Sequence, residues 1–296
     1  MLLDWADNIA QQLLSKDLIQ KGICLILGAA DTGKTTLAAA LARHATSSRP
    51  VGIIDADIGQ SHIGPPTTVG WAIVNDPRVD FSQLTIGGIS FVGDITPVGH
   101  LLQLTAAIAQ CVQQVSKSAK LIIIDTPGFI RGPAASALWW TVQRLLKPDL
   151  ILAVQRDDEL SDILAGLKSF QIHLELICSP PQIPLKSPQN RQSYRRNQFS
   201  KYFQNSSFYN INLDDVAVQR GWNLSCDSLI NLVVGLRDAK GVDVAIGLIT
   251  DWRGDPNIKR LGSRNDKGIV VVRAPQLDIQ KIFCIVIGDV TIDISE

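Results

Sequence analysis

With 296 residues, 46% hydrophobic and 19% charged, the chain can bury a full core, which excludes the disordered and fibrous classes. Its formal net charge is zero, so no whole-molecule field draws in nucleic acid and any polynucleotide must meet a local basic patch. The five cysteines, Cys24, Cys111, Cys178, Cys226 and Cys284, are scattered without a CxxC pair, which implies neither a metal site nor a disulfide framework.

The first residues, Met1-Leu2-Leu3-Asp4-Trp5, show no basic region followed by an apolar run, so no signal peptide is expected. No apolar stretch approaches the ~20 residues of a membrane span, and a cytoplasmic, membrane-free protein is expected. Up to about Gln20, Ala6, Ile9, Ala10, Leu13 and Leu14 recur at helical spacing and predict an amphipathic helix. The short apolar run Ile23–Leu27, closed by Gly28, predicts a buried strand. An alanine-rich helix is expected from Thr35 to about Ala45. Val51–Ile54, Ile86–Val92, Leu121–Ile124, Leu150–Val154 and Ile172–Cys178 read as further buried strands. Val98, Leu101, Leu102, Thr105, Ile108, Ala109, Val112 and Val115 are expected to share one helix face. Strands alternating with helices predict an α/β fold, a parallel sheet covered on both sides.

The stretch 180–201 is rich in Pro, Ser, Gln and Arg and lacks apolar periodicity, which predicts a mobile lid over about 180–203. Beyond it, Val233–Leu236, Val242–Ile249, Ile269–Val272 and Ile282–Ile287 are β-rich runs separated by Gly, Asp and Asn. They predict a small antiparallel β domain of the sandwich or barrel kind. The expected division is 1–204 for the α/β domain and 205–296 for the β domain.

Gly28-Ala29-Ala30-Asp31-Thr32-Gly33-Lys34-Thr35 fits G-x-x-x-x-G-K-[ST] in full, between a predicted strand and a predicted helix. In that context backbone N–H groups and a helix N-terminus cradle phosphates. Lys34 reaches the β- and γ-phosphates, and the Thr35 hydroxyl ligates Mg²⁺. Two strands end on acids, Asp55-Ala56-Asp57 and Asp125-Thr126-Pro127-Gly128. Carboxyl ends of parallel strands face the ligand crevice, where a carboxylate holds Mg²⁺ or takes a proton from an attacking hydroxyl. Asp57 and Asp125 are the expected metal-site acids with Thr35, while Asp55 is divided evenly between that role and capping a turn. Asp125-Thr126-Pro127-Gly128 also fits the GTPase pattern D-x-x-G, but no Asn-Lys-x-Asp follows a later strand, which favours ATP.

Beyond the phosphate loop, an ordered set of blocks resembles the polynucleotide 5′-hydroxyl kinase family. The blocks are Gly28–Thr36, Asp55-Ala56-Asp57-Ile58-Gly59-Gln60, Gly64-Pro65-Pro66-Thr67-Thr68-Val69-Gly70, Phe91–His100, Arg191–Phe203 and Val233–Asp293. The resemblance implies a P-loop kinase domain with a C-terminal β domain, using ATP and Mg²⁺ on the 5′-hydroxyl of RNA or DNA. Gly28, Ala29, Ala30, Asp31, Thr32, Gly33, Lys34, Thr35 and Thr36 would then hold the nucleotide. Asp57 would position or deprotonate the hydroxyl. Arg191, Arg195 and Arg196 would be lid guanidiniums that neutralise the transferring phosphoryl group. Gln60, Thr96, Pro97, His100 and Phe129 would contact the acceptor, Phe129 by stacking on its terminal base. The clasp-like segment departs from the family in carrying Asp94 and Ile95. An acid facing a polyanion repels it, so either Asp94 turns away or the substrate differs.

The competing reading is a nucleotide-dependent switch or assembly factor, hydrolysing ATP or GTP slowly and signalling to a protein partner through the β domain. Plainer roles stand beside the functional ones: His100 as a helix-capping histidine, Phe129 as loop packing, the three arginines as solvated surface. Trp139 and Trp140 are expected in packing.

Overall fold

A computed structural model describes residues 2–293 apart from 17, 48, 79–82, 169, 171, 221–228 and 255–267. Cys226 lies outside the described residues; Cys24, Cys111 and Cys284 are buried free thiols, and Cys178 is an exposed one.

The amphipathic N-terminal segment forms α1 (Leu2–Ser15), which buries Ala6, Ala10 and Leu13. It leads into β1 (Gly22–Gly28), α2 (Lys34–Thr46), β2 (Val51–Asp55), β3 (Thr68–Val74), β4 (Gly88–Phe91) and α3 (Leu101–Val115). Next come β5 (Leu121–Asp125), α4 (Pro133–Leu146), β6 (Leu150–Gln155), α5 (Ser161–Leu167) and β7 (His173–Cys178). The seven strands lie in the order β4-β3-β2-β5-β1-β6-β7. From β2 to β7 every pairing is parallel, and apolar cores cover both faces. Both faces being buried explains why β1, β2, β5 and β6 read as continuous apolar runs.

Three expectations need correction. β3 was not expected; it pairs antiparallel with both β2 and β4, so the sheet has an antiparallel strand near one edge. Its Thr-Val-Gly-Trp start carries little of the aliphatic run that marks its neighbours. The buried face of α3 is Leu104, Ala107, Ile108, Cys111 and Val115, whereas Val98 and Leu102 are 62% and 84% exposed. Counting apolar residues overweighted these two and passed over the small Ala107 and Cys111. The arginine-bearing segment, expected without regular structure, contains the helix α6 (Pro188–Phe203), with Ser187 accepting a hydrogen bond from Asn190 N. Only Phe199 and Phe203, one turn apart, anchor it in the core, too few to register as a period.

Past α6 a second sheet follows, built from β8 (Ser206–Asn212), β9 (Ala217–Arg220), β10 (Leu232–Arg237), β11 (Asp243–Gly254), β12 (Gly268–Pro275) and β13 (Cys284–Thr291). Its order is β8-β12-β11-β10-β13-β9, antiparallel throughout except where β13 meets β9. The two sheets are joined by an apolar cluster of Ile89, Phe91, Phe199, Phe203, Val233, Ile246 and Leu248. Within the seam, the buried Asp243 accepts from Phe91 N at 2.8 Å and from Arg237 Nε at 2.7 Å. Burial pushes the Asp243 carboxyl up even so, against the pull of Arg237. Among the described residues no helix is long and apolar enough to cross a membrane.

Candidate active site

The carboxyl ends of β2, β5 and β1 lie side by side. Asp55 pairs in register with Asp125, and Asp125 with Ile26, so two acids stand next to the loop that leaves β1. That loop turns on Asp31 (φ 57°) and Gly33 (φ 94°), and the left-handed conformation at Gly33 is cheap only for glycine. A second close approach fixes the loop from the side: a Cβ on Gly128 would sit 2.4 Å from Ala30 N. Asp125-Thr126-Pro127-Gly128 is therefore built against the phosphate loop.

Lys34 is buried at the start of α2 and donates from Nζ to Ala29 O at 2.6 Å, so it spans the loop it will lend to phosphates. Burial lowers its ammonium, while Asp125, Asp57 and Asp31 pull it back up. The Thr35 hydroxyl donates to Asp125 Oδ2 at 2.5 Å. Asp125 Oδ1 is buried and has no hydrogen-bond partner among the described residues. An unpaired buried carboxylate oxygen is costly, and beside a threonine hydroxyl at a phosphate loop it suits a hard cation with oxygen ligands.

Asp55 resolves to the capping role. Its Oδ1 accepts from Asp57 N, and its Oδ2 from His62 N at 2.5 Å and Ile63 N at 3.0 Å. The loop 55–63 is thus wound around one buried carboxylate. Asp57 Oδ1 accepts from Gly59 N and Gln60 N, while its Oδ2 takes no hydrogen bond among the described residues, so the side chain is fixed with an oxygen to spare. Burial first, then repulsion from Asp57, pushes Asp55 up to about 7. Burial and then repulsion from Asp55 push Asp125 up to about 7 as well.

The helix α6 docks across this loop. Gln60 Nε2 donates to Arg191 O, Tyr194 OH to Ser61 O at 3.0 Å, and Gln198 Nε2 to Ser61 O at 2.9 Å. The three arginines, expected as one set, divide. Arg191 pairs with Asp31 Oδ2 of the phosphate loop at 2.5 Å. Arg195 is half-buried, its guanidinium lowered by burial and by Arg191 and raised by Asp57. Arg195 and exposed Arg196 line a pocket of about 360 Å³ with Ile95, Phe199 and the residues 290–293.

The clasp-like loop 93–100 lies on the other flank. A Cβ on Gly59 would meet Ile95 O at 2.6 Å, which places the loop against the Asp57 turn. Asp94 is tied within its own loop: its Oδ1 accepts from Ile95 N and Thr96 N, and His100 Nδ1 lies 3.6 Å from its Oδ2. His100 Nε2 is 2.9 Å from Asp289 Oδ2 on β13, and Asp289 N donates to Gly93 O at 2.8 Å. His100 thus ties the loop to the second sheet. Thr96 accepts from Val98 N through Oγ1, and Pro97 O accepts from His100 N. Phe129 is half-buried, packs on the main core, and accepts from the buried Trp139 Nε1 through its carbonyl.

Four residues at the site were not anticipated: Arg156, His62, Tyr194 and Lys186. Arg156 Nη2 donates to Asp31 O at 2.5 Å, and a basic residue just past the predicted strand 150–154 was the available signal. Lys186 N donates to Asp31 Oδ2 at 2.9 Å and its ammonium stands 5.8 Å from the Tyr194 ring. A larger cavity of about 710 Å³ lies between α3 and the second sheet, lined in part by Gln103, Gln110 and Arg237. Size alone would choose that cavity, but phosphate-binding loop, lysine and paired acids are absent from it.

Known proteins add to this geometry. The family model described as mRNA cleavage and polyadenylation factor CLP1 P-loop matches residues 28–205. A polyribonucleotide 5′-hydroxyl-kinase of Pyrococcus abyssi is 36% identical over 195 residues, which cover 66% of this chain and 54% of that protein. The protein of the same name from Methanocaldococcus jannaschii is 30% identical over 195 residues, with 66% and 54% covered. The chain spans about half the length of the curated relatives it matches. A solved complex of wild-type Clp1p with a Pcf11p fragment superposes with a TM-score of 0.70 at 13% identity, covering 97% of this chain and 79% of that one. At that identity the likeness is one of fold, and it extends across both sheets.

Proposed function

This chain belongs to the CLP1 P-loop family, and on that premise we propose that it is an ATP-dependent polynucleotide 5′-hydroxyl kinase. The observation that carries the reading is the meeting of two sites on one loop. The turn 55–63 fixes Asp57 near enough to act on the charge of Lys34 in the phosphate loop and is itself gripped by the arginine-bearing helix. A nucleotide-only switch has no use for the second half of that arrangement.

In the proposed reaction the 5′-hydroxyl oxygen attacks the γ-phosphorus of ATP and its proton passes to Asp57. The bond from the γ-phosphorus to the β,γ-bridging oxygen breaks, leaving ADP and a 5′-phosphorylated end. Gly28–Thr36 supply N–H groups to the phosphates, and Lys34 moves from Ala29 O to them. Thr35 and Asp125, with Asp57, are the residues that would hold Mg²⁺, which when bound neutralises charge across the β- and γ-phosphates. Arg195 and Arg196 face the side from which the acceptor arrives, and Arg191 is released from Asp31 to the phosphoryl group. Thr96, Pro97 and Gln60 border the acceptor path; His100 holds the clasp, and Phe129 offers a ring edge for a base. Catalysis here is positioning and charge neutralisation rather than covalent chemistry. RNA is the acceptor that the named relatives favour. The free thiols support a cytoplasmic setting. Exposed Phe208, Val244 and Phe283 of the second sheet support a protein partner there.

The test is ADP release with and without short 5′-hydroxyl RNA or DNA. Release that rises with 5′-hydroxyl ends, and not with 5′-phosphorylated ones, is expected. Release indifferent to oligonucleotide overturns the reading in favour of the switch.

A further inference from the structure

We propose that His62 is an acceptor-site residue that takes a hydrogen bond from a sugar hydroxyl of the terminal nucleotide; this rests on the kinase reading above. His62 lies on the turn that Asp55 organises, its own N–H given to Asp55 Oδ2. Its ring is mostly covered, with 28% of the side chain exposed, and tilts against the Tyr194 ring of α6 at 5.5 Å between centroids. The ring therefore stands where the Asp57 turn meets the arginine-bearing helix, with Asp57, Asp125 and Lys186 all close enough to act on its charge.

Neither ring nitrogen has a hydrogen-bond partner among the described residues, and Nδ1 is fully covered. A histidine kept only for packing would leave a buried polar atom unpaired, a cost with no return. The near neighbour of Nδ1 is Asp55 Oδ2 at 4.0 Å, beyond hydrogen-bond range. A shift of about 1 Å closes that gap to an N–H···O bond. With Nδ1–H held by Asp55, the tautomer is fixed and the outer nitrogen Nε2 becomes an acceptor. Burial lowers the pKa of His62, which agrees with a neutral ring. An acceptor lone pair beside carboxylates suits a hydroxyl, which brings a proton, and repels a phosphate, which brings none. The chemical class is thus a sugar hydroxyl, and because the 5′-hydroxyl gives its one proton to Asp57, the ribose 2′-hydroxyl is the partner assigned.

The experiment measures KM for ATP and for the acceptor with wild type, His62→Ala, His62→Gln and Tyr194→Ala, on 5′-hydroxyl RNA and on DNA of the same sequence. Losing one hydrogen bond predicts an acceptor KM about tenfold higher in His62→Ala, with KM for ATP unchanged. His62→Gln, whose side-chain oxygen accepts in place of Nε2, recovers most of the loss. A loss on RNA alone identifies the 2′-hydroxyl as the partner; an equal loss on RNA and DNA overturns that assignment. An unchanged acceptor KM overturns the assignment. So does an effect that His62→Gln fails to relieve and Tyr194→Ala reproduces, since His62 then serves lid packing. If the wild type phosphorylates no oligonucleotide, the kinase reading fails first and the assignment falls with it.

Discussion

The phosphate-loop half of this molecule and the half proposed to receive the acceptor are assembled by different means. The nucleotide half is local: Gly28–Thr35 is one turn between a strand and a helix, and Asp55 and Asp125 arrive beside it through strand register alone. The acceptor half is stitched from distant segments. Gln60 reaches Arg191, Gly93 reaches Asp289 and Phe91 reaches Asp243. The first half is set by parallel-sheet topology, which places strand ends at a common crevice. The second exists only once the two sheets have docked.

That contrast can be broken by mutation. Lys34→Ala removes the loop's cation and should cost transfer on the order of 10⁴-fold, comparable to losing a phosphate-clamping charge, under kinase and switch readings alike. Phe91→Ala empties the seam between the sheets, where Phe91 is 3% exposed. Loss of a buried phenylalanine costs about 3–5 kcal/mol, so thermal unfolding should show a clear fall in Tm. A small shift would mean the seam is not what holds the acceptor half together. Asp57→Asn should keep ATP binding and lose about 10²-fold in turnover, the scale of a lost general base. Near-normal turnover would remove Asp57 from the chemistry. Replacing Arg195 and Arg196 with Ala should lower turnover about tenfold with little change in ATP affinity, since both lie on the acceptor side; an unchanged rate returns them to the surface.

The smallest effect concerns pH. Asp55 and Asp125 are raised to about 7 against an ordinary 3.8. A raised group contributes stability that is fully present below its unfolded value and lost as pH climbs through its folded value. Without divalent cation, therefore, their contribution to Tm should decline from about pH 4 to about pH 7, and Asp125→Asn should flatten part of that decline. A slope unaffected by Asp125→Asn would contradict the burial of its charge.

The same contrast decides what could be read from the sequence. Buried on both faces, β1, β2, β5 and β6 announce themselves as apolar runs, and the phosphate loop carries its chemistry in consecutive residues. β3 does not, because its Gly70 and Trp71 interrupt the aliphatic signal. α6 is polar by composition and helical by virtue of its Ser187 cap and two phenylalanines that meet the second sheet. His62 and Tyr194 carry no motif; their relation appears only when α6 closes over the turn. Asp94 reads from the sequence as a bare acid, and only the folded loop shows it bound to Ile95 N, Thr96 N and His100.

The most direct measurement of the central claim is label transfer from γ-labelled ATP with Mg²⁺ to 5′-hydroxyl RNA and DNA, beside 5′-phosphorylated strands of the same sequence. Label confined to the 5′-hydroxyl strands is the predicted result, and the ratio between RNA and DNA gives the preferred acceptor. Steady phosphate release with no label on any strand would contradict it and leave a nucleotide hydrolase in its place.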